Sequence, residues 1–133
     1  MGMFAALDSS SSGAKVSRIW LDAISDNVAN VNTIRPAGED PFRSRLVIAQ
    51  SYSRGDDRGA EVAGIVLSGG EADLVFDPDH PYADPKGYVR RPRVDLSEEM
   101  TNMLIAQRSY QANLSVLDRV RDAYKAALSI RVN

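Results

Sequence analysis

The fold is decided by the stretch SEEMTNMLIAQRSYQANLSVLDRVRDAYKAALSI, Ser97 to Ile130. Leu96, Met103, Tyr110, Leu117 and Tyr124 recur every seventh residue, interleaved with Met100, Gln107, Leu114, Arg121 and Leu128. Alternating steps of four and three place these side chains on one stripe of an α-helix, the pattern of a helix that packs on other helices. No glycine or proline interrupts the chain from Leu96 to Asn133. Ser97 is the expected N-cap, with Glu98 and Glu99 in the first turn, where the helix dipole favours negative charge. Such a helix runs on the order of 50 Å.

A second, shorter helical pattern lies at the other end. Leu7, Ala14, Leu21 and Val28 form one heptad series, and Met3, Ser10, Ser17, Ile24 and Val31 form its partner. The spacing predicts a helix from Ala14 to about Val31, capped by Asp8 or Ser9 if it extends further. SSSSG, Ser9 to Gly13, has poor helix propensity, so a fray or bend is expected near Gly13. NTIRPAGEDP, Asn32 to Pro41, stops the helix through Pro36, Gly38 and Pro41.

Between the helices the chain reads as short strands and turns. RLVIAQSY and AEVAGIVLS are β-rich and separated by SRGDDRG, a hairpin turn or longer loop. DLVF is a candidate third strand, and GYVRRPRV an extended exit. The expected fold class is therefore mainly α with a small β insert. Its terminal helices form a coiled-coil-like pair with a β-hairpin and extended segment between them. The expected division is 1–34, an N-terminal axial helix; 35–95, a β-rich insert with a proline-rich connector; and 96–133, a C-terminal axial helix. A C-terminal helix about twice the length of its N-terminal partner leaves apolar heptads uncovered, which implies other copies or other subunits.

The 133 residues fit one domain, and a net charge of −2 supplies no general basic field for nucleic acid or anionic membrane. Charge is uneven: residues 55–89 hold two basic and eight acidic side chains, whereas residues 90–133 hold eight and five. With no cysteine, disulfides, thiol catalysis and zinc-thiolate sites are excluded. No run approaches the roughly 18 apolar residues of a membrane span. MGMFAALDSSSSGAKVSRIW lacks the basic and apolar regions of a cleavable secretory signal.

One segment invites a chemical reading. FDPDHPYADPKGYV, Phe76 to Val89, places the only histidine, His80, among Asp77, Asp79 and Asp84. Zinc needs more nitrogen or sulfur ligands than this segment has. An EF-hand count from Asp77 fails at Pro81, Tyr82 and Tyr88. The X-Pro steps before Pro78, Pro81 and Pro85 favour extended or turn backbone, and Lys86-Gly87 suits a positive-φ turn. The segment is therefore expected to direct the chain. Asn27, Asn30 and Asn32 are expected to cap the first helix. Arg90, Arg91 and Arg93 are expected to pair with the acidic insert of a neighbour rather than with phosphate. No cofactor, metal or catalytic residue is indicated, and the sequence makes no case for an enzyme.

The ends carry a resemblance. LDAISDNVANVNT, Leu21 to Thr33, resembles the N-terminal signature of the bacterial flagellar axial proteins, the rod, hook and hook-associated subunits. EEMTNMLIAQRSYQANLSVLD, Glu98 to Asp118, resembles their C-terminal signature. FDPDHPYADPKGYVRRPRVDLSEEM is similar to the connector of the small proximal rod subunits. The matching positions are Asn27, Asn30, Asn32, His80, Pro81, Gly87, Tyr88, Arg108, Tyr110 and Asn113. Arg93 departs from the asparagine usual after the proline in that family. The resemblance implies a structural subunit of the basal-body rod, transmitting torque and forming part of the export channel wall. It implies export by the flagellar type III apparatus without a cleaved signal, a periplasmic position, and no membrane insertion. Its partners would be other copies and neighbouring rod proteins of the FlgB, FlgF and FlgG type. Leu21, Ile24, Val28, Met100, Met103, Tyr110, Leu114, Leu117 and Leu128 would form the assembly interface. The alternatives are another small rod subunit, or a helical adaptor binding one partner through its C-terminal seam.

Overall fold

The computed structural model describes residues 3–36, 38–55 and 57–130. Residues 1, 2 and 131–133, at the outer ends of the expected helical units, lie outside that set, as do Ala37 and Asp56. Helix α1 spans Met3–Ala29 and helix α2 spans Leu96–Ile130. Between them, β1 (Arg45–Arg54) pairs antiparallel with β2 (Asp57–Leu67), and β3 (Asp73–Phe76) pairs antiparallel with β4 (Tyr88–Arg91). The fold is mainly α with a small antiparallel insert. DLVF is a strand, and the extended exit Tyr88–Arg91 is its partner.

α1 starts well before Ala14 and is continuous through SSSSG, so the expected fray near Gly13 does not occur. Asp8 and Ser9, the expected caps, sit inside the helix. Tertiary packing overrides the weak propensity, because the serines and glycine are used as contacts. Ser10, Ala14 and Ser17 are buried, and Ser17 Oγ lies 3.0 Å from Ser109 Oγ across the helix pair. Ser17 also donates to the Gly13 carbonyl, 2.9 Å away. A Cβ on Gly13 would stand 2.9 Å from Asn113 Oδ1, so the glycine lets α2 come close. Ser12 faces elsewhere: its Oγ donates to Ser9 O and accepts from Ala60 N of β2 at 3.1 Å. The run that looked too polar for a helix thus holds α1 to α2 on one side and to the hairpin on the other.

α2 begins as expected, but its cap lies two residues before Ser97. Asp95 Oδ1 accepts from Ser97 N at 2.9 Å and Glu98 N at 3.1 Å. Aspartate satisfies two otherwise orphaned N–H groups and adds charge at the positive end of the dipole.

The stripe of α2 that meets α1 runs Glu99, Met103, Ala106, Tyr110, Asn113, Leu117 and Val120, all buried or half-buried. It shares Met103, Tyr110 and Leu117 with the heptad stripe read from sequence and is otherwise turned to one side of it. Small residues bring the helices together, and Ala106 is fully buried against them. Every residue from Arg121 to Ile130 is exposed. α2 is about 52 Å long against about 40 Å for α1, so the longer helix outruns its cover. The β1–β2 hairpin packs on α1, whereas among the described residues the β3–β4 ribbon packs on neither helix.

This division of α2 into a tight, small-residue face and an open apolar face has a measurable consequence. Ala106→Leu overpacks the seam and is expected to cost about 1–3 kcal/mol in urea unfolding of the isolated chain. Leu114→Ala on the open face should stay within about 0.5 kcal/mol. Equal losses at both positions would show that the seam is wrongly placed.

Candidate functional site

Asn27 is 1% exposed and joins three segments. Its Oδ1 accepts from Arg45 N at 2.8 Å, and its Nδ2 donates to Arg45 O at 3.1 Å. The side-chain amide therefore pairs with the backbone at the start of β1 as a neighbouring strand would. The same Nδ2 donates to Glu99 Oε1 in the first turn of α2, at 2.8 Å. Asp26 completes the junction, with its Oδ2 2.6 Å from Arg45 Nη1. A capping role for Asn27 is thus replaced by a cross-link between α1, β1 and α2. Asn30 does act locally at the helix end, donating to Asp26 O at 2.8 Å and meeting Thr33 Oγ1 at 3.2 Å. Asn32 is exposed.

Glu99 is 8% exposed. Burial holds its carboxyl above the ordinary value of about 4.5; the Asn27 N–H opposes that shift and neighbouring Glu98 adds to it. Sequence reading assigned Glu99 only to the helix dipole and missed this partner 72 positions away. No pattern in a single chain links an asparagine and a glutamate at that distance.

The histidine segment is built as a turn. Asp84 Oδ1 accepts from Lys86 N at 2.8 Å and Tyr88 N at 2.9 Å, which commits that carboxylate to the backbone. His80 Nδ1 accepts from Tyr82 N at 3.1 Å, and its ring centroid lies 5.5 Å from that of Tyr82. Gly87 has φ +82°, and a Cβ there would meet the Phe76 ring at 2.9 Å. Phe76 and Tyr88 stack edge to face at 5.3 Å. Pro81 is exposed beside His80. At the base of the ribbon Arg93 reaches Asp73 Oδ1 at 3.0 Å. The pairing of an arginine with the acidic insert occurs inside the chain, between two residues that bracket the ribbon.

The residues expected at an assembly interface fall into three groups. Ile24 is packed inside the chain. Leu21, Val28, Met103, Tyr110 and Leu117 are half-buried. Met100, Leu114 and Leu128 are exposed, together with Leu104, Ile105, Val116 and Tyr124 on the same helix. Phe4, Leu7, Leu117 and Tyr124 line an apolar groove where α1 begins and α2 outruns it. Arg108 is exposed, and half-buried Asn113 donates to Ser109 O at 2.9 Å beside Gly13. No helix among the described residues is long and apolar enough to cross a membrane.

Comparison with known proteins places these features. The family described as flagellar basal body rod FlgEFG protein C-terminal matches residues 86–130, the end of the connector and α2. The flagellar basal-body rod protein FlgC of Borreliella burgdorferi is 34% identical over 98% of this chain and 98% of its own length. That of Bacillus subtilis is 30% identical over 98% and 99%. That of Escherichia coli O6:H1 is 35% identical over 83% and 84%.

The buried Glu99 makes stability depend on pH in a defined direction. Its folded-state pKa is raised, so between about 4.5 and that raised value the folded chain binds more protons than the unfolded chain. Stability therefore falls as pH rises through that window and stays lower above it. Glu99→Gln keeps an oxygen acceptor for Asn27 and removes the charge. The variant should unfold at higher urea than wild type at pH 7, with the decline across that window abolished. A variant less stable at pH 7 with the slope unchanged would refute the account.

Proposed function

Because this chain belongs to the FlgC family of flagellar basal-body rod proteins, we propose that its open helix face joins it to other rod subunits and carries torque between them. It is a structural subunit of the flagellar basal-body rod. The observation that carries the interface reading is that Met100, Leu104 and Leu114 stay exposed beside the face α1 covers, while Tyr124 and Leu128 stay exposed where α2 runs past α1. Large apolar side chains left exposed along a helix in this way are a surface awaiting cover.

In this reading Met100, Leu114 and Leu128 are the centre of the contact. Leu21, Val28, Met103, Tyr110 and Leu117 form its rim, and Ile24 supports it from inside. Many staggered helix contacts share a twisting load, since each must shear at once for the shaft to slip. The partners are further copies and neighbouring rod proteins of the FlgB, FlgF and FlgG type, with the helices contributing to the wall of the export channel. The chain reaches its periplasmic position through the flagellar type III export apparatus. Its work is structural rather than catalytic, in keeping with the names of its relatives.

The chain has no cysteine, so a single introduced thiol reports unambiguously. Cysteine at Leu114 or Leu128 should cross-link to other rod subunits in intact basal bodies. A thiol at Ser53, on the outer part of the hairpin, serves as the comparison. A one-to-one adduct with a cytoplasmic protein and none with rod subunits would favour the adaptor reading instead. In the free subunit, amides from Arg121 to Ile130 should exchange much faster than those from Met103 to Asn113, because helix without tertiary packing is marginal. Uniform protection along α2 would contradict the need for a partner.

A further inference from the structure

Glu99 spends only half of its carboxylate. Oε1 accepts from Asn27, and among the described residues Oε2 has no hydrogen-bond or ion-pair partner. Among the described residues no fully buried side-chain oxygen or nitrogen lacks a partner, so Oε2 reaches open space. That space is a cleft of about 480 Å³ between the base of the β1–β2 hairpin, the Gly69-Gly70 loop and the first turn of α2. Glu98 and Asp95 line the same cleft, as do Arg43 and Arg93.

Of the cleft's own cations, one is held on its wall and the other is paired with a residue outside it. Arg43 Nε donates to Ser68 O at 2.8 Å, and Arg93 is paired with Asp73. Neither acts on Glu99, whose carboxyl is held up by burial and by Glu98 with no cation opposing them. Among the residues that line the cleft, Asp95, Glu98 and Glu99 against Arg43 and Arg93 leave one negative charge, more than the half-charge of the α2 N-terminus offsets. The carboxylate's own desolvation is already part of the fold, so a cation that reaches Oε2 in good geometry has only its own desolvation to offset.

We infer that this cleft receives an arginine or lysine side chain from a neighbouring rod subunit, which pairs with Glu99 Oε2. The occupant's origin rests on the rod reading above; the cation preference rests on the cleft alone. A metal ion is disfavoured, because no three acidic or histidine groups converge among the described residues. A guanidinium or ammonium group needs only one aligned carboxylate, and the cleft has room for its stem. The partner cation would also lower the Glu99 pKa on assembly, removing the destabilisation that the free subunit carries at neutral pH.

The test separates the site from its occupant. N-acetyl-arginine amide is titrated into the full chain while the Glu99 side-chain carboxyl carbon is followed by NMR, with the neutral N-acetyl-citrulline amide as control. A saturable shift with the arginine compound, a lowered Glu99 pKa and little response to citrulline are expected. Equal response to both, or none to either, overturns the site. In cells, Glu99→Gln should enter purified basal bodies on the order of tenfold less than wild type, although it is the more stable fold. Incorporation at the wild-type level overturns the pairing. Absence of wild-type chain from basal bodies overturns the rod reading, and the neighbouring subunit as source of the cation falls with it.

Discussion

The rest of the fold depends on one buried amide. Asn27 sits where α1 ends, and its side chain mimics a strand toward Arg45 while it also reaches Glu99. Those bonds fix where the hairpin leaves the first helix and where the second helix returns. Without them the two helices would still share their seam, and the hairpin would be held to α1 by the Ser12–Ala60 bond, the Asp26–Arg45 pair and its packing along the helix. The arrangement is also demanding, since a buried polar group is stable only while each partner stays in place.

That junction explains which features were legible in the sequence. The two helices, the hairpin and the positive-φ turn at Gly87 follow from local rules, and the resemblance at both ends led to the right family. What was hidden depends on contacts between distant segments. SSSSG reads as a weak helix until Ser17 meets Ser109 and Ser12 meets Ala60. Asp95 takes the cap because it directly precedes the helix and its carboxylate reaches two N–H groups, leaving Ser97 inside. The heptad pattern identified the apolar side of α2, whereas the tight seam is marked by Ala106, Ser109 and Asn113, which carry little periodic signal.

The two faces of α2 divide the work of the helix. Ala106 and Ser109 allow close approach to α1, Met103, Tyr110 and Leu117 are half-buried beside them, and Met100, Leu104 and Leu114 remain outside. A subunit built this way holds its own shape with few large side chains, of which Ile24 and Val89 are the most deeply buried. Its larger apolar area is left for contacts beyond the chain.

The β3–β4 ribbon has a mechanical consequence of its own. It is joined to the body by the loops on either side and bracketed by the exposed Asp73–Arg93 pair. An exposed ion pair opens for about 1 kcal/mol or less, well below the cost of breaking the Asn27 junction. The pair closes the base of the ribbon, between the start of β3 and the residues just past β4, so it can open without disturbing the helix seam. The ribbon can therefore fray at its base and re-form while the Asn27 junction and the α1–α2 seam stay closed.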